Sequence, residues 1–317
     1  MEFYYKAVME NKALFEDKIV LDVGCGLGFL SILAAKAGAK KVYAVEASSQ
    51  VFVLAQSSFA KSGYDSVIEA VNKPMEEVVI ENRYVDIIIS EWMGYCLFYE
   101  QMLPSVLFAR DKYCPQVIIP DEASLFIVGF YNKSYYHQRL DWTQEQHYGV
   151  DLSSVKEDIC SEISNDNCLG CKYEGDVTNP NIITTSSQVF QGSLYDIPAR
   201  DEIDEGDEEA NLVDETNFEL RLKYPERHKR IHGIIIYFET NSKGRNGQRL
   251  TLTTSPYGLP THWQQSICLF KEALAAPDGQ SIVGSFQLKA YSGAKKQGRG
   301  IQILLKIKDS QYQYILP

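Results

Sequence analysis

Over its first 118 residues the chain switches between short apolar runs rich in β-branched residues and longer amphipathic stretches. That rhythm narrows the possible folds more than any other feature. Strands are read at 19–24, 41–47, 66–71 and 85–91, and helices at 2–10, 29–37, 50–60 and 102–113. Strands separated by helices are joined by crossovers rather than hairpins, which predicts a parallel sheet covered by helices on both faces. From residue 117 the rhythm changes. Runs at 124–130, 217–222, 231–239, 250–254, 266–270, 282–290 and 301–307 follow without long helices, punctuated by Gly233, Gly244, Gly247, Gly258 and Gly284. Such a series predicts an all-β unit, a barrel or a sandwich. The division falls near Pro120, giving domains 1–119 and 120–317. A polar, aromatic-containing stretch at 135–161 breaks into the second domain and is expected to be helical and to project as an arm.

The chain's 317 residues, 45% apolar and 23% charged, suffice for two buried cores. No apolar run reaches the roughly 18 residues a membrane span needs, and no charged-then-apolar leader is read at the start. Seven cysteines without secretory features are expected to stay reduced, which places the protein in the cytoplasm or nucleus. Cys160, Cys168 and Cys171 lie close in sequence, but no fourth ligand has zinc-site spacing, so no metal is expected. The net charge of −11 is local: residues 201–215 hold nine acids and no bases, which leaves −2 for the rest. The stretch 199–215 is read as a solvated acidic loop of little stabilising value, with attraction of basic partners as a second reading. A nearly neutral remainder has no basic footprint for nucleic acid.

Two stretches carry chemistry. The first is VLDVGCGLG at 20–28, a strand running into a glycine turn and then a helix. Glycines there let the backbone approach a ligand closely. A dinucleotide fingerprint needs its third glycine at 29, where Phe29 stands, so a pyrophosphate cradle is the weaker reading. The next strand closes on Glu46, whose carboxylate can accept both hydroxyls of a ribose. A nucleoside cofactor lacking pyrophosphate is expected, and S-adenosylmethionine is such a ligand.

The second stretch is SEWMGYCLFYE at 90–100, after an apolar strand. Glu91 and Glu100 bracket an aromatic segment, and Gly94 lets the chain turn between them. Two readings stay open from these residues alone. The acids are solvated and never meet, or they converge on a cation in an apolar surround, for which a planar guanidinium with five N–H donors is the fitting guest.

Taken together, VLDVGCGLGFLSILAAKAGAKKVYAVEAS, SEWMGYCLFYEQML and Thr261-His262-Trp263 resemble the protein arginine methyltransferases over almost the whole chain. The resemblance implies a Rossmann-like S-adenosylmethionine-dependent methyltransferase domain, then a β-barrel domain with a helical dimerisation arm. It implies methyl transfer to guanidinium nitrogens of protein arginines, S-adenosylhomocysteine as product, and a homodimer acting on Arg-Gly-rich proteins and histones, with no direct nucleic-acid or membrane partner. It assigns Asp22, Gly24, Gly26, Glu46, Ala47, Met75 and Glu76 to the cofactor, Glu76 toward the adenine amino group. Glu91, Glu100 and His262 become catalytic, and Trp92, Met93, Tyr95, Met102 and Trp263 contact substrate. Met102 favours the asymmetric-dimethylating type. The clamp would leave electron density on the attacking nitrogen, whereas deprotonating free arginine at pH 7 costs on the order of 8 kcal/mol.

The chain departs from the family pattern at Met1, which falls just past the arginine that binds the cofactor's carboxylate. On that reading this sequence lacks the cofactor's helical lid and is expected to bind cofactor weakly and methylate poorly. A catalytically silent partner of an active subunit is the alternative, though both clamp acids are present. A small-molecule or nucleic-acid methyltransferase is a third. The base-amino type carries an Asn/Asp-Pro-Pro-aromatic motif where this chain has Ser90-Glu91-Trp92-Met93.

Overall fold

The computed structural model describes residues 1–144, 149–161, 164–166, 181–198, 210–243, 247–276, 280–291 and 300–316. Helix α1 (Glu2–Met9) and the short α2 (Lys12–Phe15) lead into β1 (Ile19–Val23), α3 (Phe29–Lys36), β2 (Lys41–Val45), α4 (Ser49–Ser62) and β3 (Ile68–Val71). There follow β4 (Ile87–Ile89), α5 (Leu103–Tyr113) and β5 (Val117–Ile119). The five strands are parallel, in the order β3-β2-β1-β4-β5. Helices on both faces keep Val20, Leu21, Ile88 and Ile89 from water, which is why these strands read as unbroken apolar runs. The chain leaves β1 for β2 on one side and returns to β4 on the other. That reversal opens a crevice at the carboxyl ends of β1 and β4, where ligands bind in open α/β sheets.

After a cis Ile119–Pro120 bond the second unit begins. It contains β6 (Glu122–Phe130), α6 (Lys133–Arg139), α7 (Val155–Ser161), β7 (Ser164–Asp166), β8 (Ile182–Ser193) and β9 (Asn211–Arg221). It continues with β10 (Arg230–Lys243), β11 (Arg249–Thr253), β12 (Gln265–Ala275), β13 (Ser281–Tyr291), β14 (Gly300–Ile307) and β15 (Ser310–Leu316). One antiparallel sheet runs β7-β12-β10-β6-β8 with β11 on β10, and a second runs β15-β14-β13-β9. A bridge between Thr184 and Leu222 links them into a barrel-like body. The architecture is thus the expected α/β unit followed by a barrel.

Two expectations are corrected. Strand β8 is too polar (Thr184, Thr185, Ser186, Ser187, Gln188) to read as one, yet it forms because β6 offers it an edge, with Thr184 Oγ1 accepting the Gly129 N–H at 2.7 Å. The 135–161 stretch is helical at Lys133–Arg139 and Val155–Ser161, and its first part packs on the barrel. Tyr136 and Leu140 are buried, and the Tyr136 hydroxyl donates to the carbonyls of Phe270 and Lys271 at 2.9 and 2.8 Å. Helix α7 lies against β12 and β15.

The acidic loop also ends earlier than 215. Residues 199–209 lie outside the described residues, but Asn211–Arg221 is strand β9. Glu215 accepts from Ser285 Oγ at 2.6 Å and from Lys306 Nζ at 2.9 Å, contacts that hold its carboxyl below the usual range. Cys168 and Cys171 lie outside the described residues, and only the backbone of Cys160 is described.

Candidate active site

The turn after β1 has Gly24, Gly26 and Gly28 at φ +69°, +55° and +85°. Only glycine adopts such values freely. Space adds to this: a Cβ on Gly28 would overlap the Phe59 ring, and one on Gly24 would push aside the end of the Met102 side chain. The turn aims the Gly26 N–H at Glu46 Oε2 (3.0 Å), while the Ser48 N–H donates to Glu46 Oε1 (2.8 Å). Both oxygens are therefore fixed in place, and each retains a lone pair for a ligand hydroxyl. Across the crevice a turn at Met75–Glu77 buries Met75 and places Glu76, whose Oε1 accepts from Ser105 Oγ at 2.7 Å.

Asp22, expected at the cofactor, is not on the cavity wall. It is fully buried, accepts from Ser31 Oγ at 2.6 Å, and leaves Oδ1 without a protein partner. Burial pushes its carboxyl up to about 7. It supports the turn from below.

The 90–100 loop is fastened on several sides. Ser90 Oγ donates to the Val23 carbonyl at 2.7 Å, and the Tyr4 hydroxyl of α1 donates to the Ser90 carbonyl at 2.9 Å. Gly94 and Leu97 exchange backbone hydrogen bonds, each 3.0 Å. Cys96, Leu97, Glu100 and Gln101 all have positive φ, from +49° to +79°. Four non-glycine residues in that region form a strained segment that only its surroundings maintain.

Glu91 and Glu100 come to the same cavity. Burial, and next the charge of Glu100, raise the Glu91 carboxyl to about 7. The barrel closes this side: Trp263 Nε1 donates to the Met93 carbonyl at 2.6 Å, and the His262 and Trp263 rings are 3.9 Å apart. His262 Nε2 lies 4.0 Å from Glu91 Oε1, and partial burial lowers its pKa below the ordinary histidine value.

One cavity of about 730 Å³ thus joins the glycine turn to the 90–100 loop. Its wall includes Gly24, Glu46, Ala47, Met75, Glu76, Glu91, Met93, Tyr95, Glu100, Met102, His262 and Trp263. Gly26 reaches it through Glu46. Trp92 does not: it is 2% exposed and faces a smaller apolar cavity of about 70 Å³ behind the loop, so its expected substrate contact is withdrawn. Sequence reasoning missed Lys73, Gln101 and Ser105 on the wall. Their polar character beside Glu76 and Glu100 was the available signal.

Comparison with known proteins points the same way. Residues 20–108 match the family model of a methyltransferase domain, and residues 121–310 that of the arginine methyltransferase oligomerization subdomain. The chain is 35% identical to protein arginine N-methyltransferase 1 of Dictyostelium discoideum, over 95% of this chain and 81% of that protein. It is 34% identical to the Saccharomyces cerevisiae protein of the same name, over 96% of this chain and 81% of the other. The solved enzyme–prozyme heterotetrameric complex of the Trypanosoma brucei methyltransferase 1 with AdoHcy superposes with a TM-score of 0.81 at 30% identity, covering 100% of this chain and 94% of that one.

Proposed function

The chain belongs to the protein arginine N-methyltransferase family, and from that premise we propose how its cavity residues divide the work. It is an S-adenosylmethionine-dependent enzyme that methylates protein arginines and releases S-adenosylhomocysteine. The residues present suit that cofactor. Glu46 offers two fixed oxygens to a ribose, Glu76 an acceptor to the adenine amino group, and the Gly24 turn leaves room for a close approach. A cavity of about 730 Å³ is of ordinary size for a small-molecule site, which typically spans roughly 300–1,000 Å³. When bound, the cofactor supplies an electrophilic sulfonium methyl.

The domain before Pro120 holds the cofactor and the barrel presents the substrate. Glu91 and Glu100 grip the substrate guanidinium by charge-assisted hydrogen bonds, leaving one nitrogen free to attack. Fixed carboxylates also stabilise the methylated cation without reorganising. Glu91 then takes the departing proton, and neutral His262 beside it passes that proton to water. Met102, against Gly24 on the wall, narrows the space around the accepting nitrogen, and we assign asymmetric dimethylation to the product.

The observation that carries the clamp is that Glu91 and Glu100 line one cavity, close enough that the charge of Glu100 adds to burial in raising the Glu91 carboxyl to about 7. A guanidinium restores the ionised form, so arginine-peptide binding below about pH 7 is expected to release a proton. Calorimetry at pH 6.5 in buffers of different ionisation enthalpy reads this directly, with no such dependence expected at pH 8.5. A buffer-independent enthalpy at pH 6.5 counts against the clamp.

The oligomer is read as a homodimer. Leu27, Phe29, Val53 and Leu54 are 41–62% exposed around the glycine turn and the outer face of α4, and a second copy's 135–161 region is the natural cover. Val53→Glu with Leu54→Glu is expected to give a folded monomer by sedimentation. An unchanged dimer would place the interface elsewhere. Arg-Gly-rich proteins and histones are the expected substrates, and reduced thiols (Cys25, Cys96, Cys114 and Cys268 are free) suit the cytoplasm or nucleus.

A further inference from the structure

Gln101 stands between the two cavities and lines both. It follows Glu100 directly, and the pair has φ of +79° and +51°. Consecutive non-glycine residues in that region persist only where neighbours hold them. Two contacts do so. The Gln101 N–H donates to the Phe98 carbonyl at 3.1 Å, and the Phe98 ring stands edge-on to Phe190 of the barrel at 5.2 Å. The Gln101 side chain reaches further, with Nε2 donating to the Gly300 carbonyl at 3.1 Å. Gly300 opens β14 and is paired with Tyr291 of β13, so this acceptor is fixed by the barrel ladder. The contact crosses from the methyltransferase domain to the barrel.

We propose that Gln101 is a positioning residue for methyl transfer: its amide, anchored on the Gly300 carbonyl, holds the Glu100 carboxylate opposite Glu91. The inference rests on the clamp reading of Glu91 and Glu100. Gln101 itself touches neither methyl donor nor guanidinium in this account. Without the anchor the left-handed pair relaxes and Glu100 leaves its place. Glu91 then loses the neighbouring charge that helps raise its pKa, so the acid limb of kcat/KM moves to lower pH.

The test compares Gln101→Met, nearly isosteric but without a donor, with Gln101→Glu, whose ionised carboxylate cannot donate at pH 8. Glu100→Gln is assayed beside them. Each Gln101 variant is expected to lower kcat about tenfold, with KM for an arginine peptide changed less than about threefold and cofactor Kd less than about twofold. The acid limb of Gln101→Met shifts to lower pH. A kcat within about twofold of the parent for Gln101→Met, while Glu100→Gln is inactive, overturns the inference and leaves the clamp standing. An unaffected Glu100→Gln instead overturns the clamp itself. If kcat falls but the acid limb stays, or if both Gln101 variants lose cofactor binding, the role is structural and the inference fails.

Discussion

Glu100→Gln is expected to lower kcat at least about a hundredfold while leaving the fold and cofactor affinity nearly intact, the scale of losing one preorganised electrostatic contact. The amide keeps the shape of the side chain but cannot offset the guanidinium charge, and one of its two heads donates where acceptance is needed. The Glu100 backbone, at φ +79°, keeps its neighbours, so stability changes little. Glu91→Gln gives a loss of the same size and removes the limb near pH 7, because Glu91 is the group raised to about 7. Glu100→Gln retains that limb but moves it to lower pH, since the like charge that raises Glu91 is gone. Single-turnover kinetics across pH 6 to 9 separate these outcomes. An unchanged kcat in Glu100→Gln would sink the clamp assignment.

Gly94→Ala is expected to be nearly as damaging, by geometry rather than charge. A Cβ at Gly94 would lie 1.8 Å from the Tyr99 carbonyl oxygen, a backbone atom that no rotamer change can move aside. Tyr99 immediately precedes Glu100, so relieving the overlap displaces the clamp. Misplacement of a catalytic group by about 1 Å costs on the order of a hundredfold in rate. Overpacking of this kind also costs roughly 1–3 kcal/mol of stability. Cofactor affinity should hold within a few-fold, because the Gly24 turn and Glu46 are braced by their own hydrogen bonds. Full turnover by Gly94→Ala would show that the loop tolerates another course.

What the sequence made legible was whatever local pattern controls. The glycine turn, the strand ending at Glu46 and the paired acids of one loop are each contained within a few residues, and the parallel sheet followed from alternation alone. Other features depend on partners remote in sequence. Strand β8 is polar on its own and becomes a strand only because β6 presents an edge. Trp92 sits beside Glu91 in sequence, yet its neighbours turn it away from the substrate cavity. Nothing near Gln101 in sequence hints that the Gly300 carbonyl lies within hydrogen-bond reach. In the helical stretch at 135–161, Tyr136 and Leu140 find cover on the barrel that their polar context did not suggest.

Product analysis reads arginine methylation and its dependence on the clamp in one assay. The full chain is incubated with labelled S-adenosylmethionine and an Arg-Gly-rich peptide, with Glu100→Gln in parallel, and the peptide is hydrolysed to resolve methylated amino acids. Label is expected in monomethylarginine and asymmetric dimethylarginine from the parent enzyme, and almost none from the variant. Label absent from arginine, or equal labelling by Glu100→Gln, would contradict that expectation.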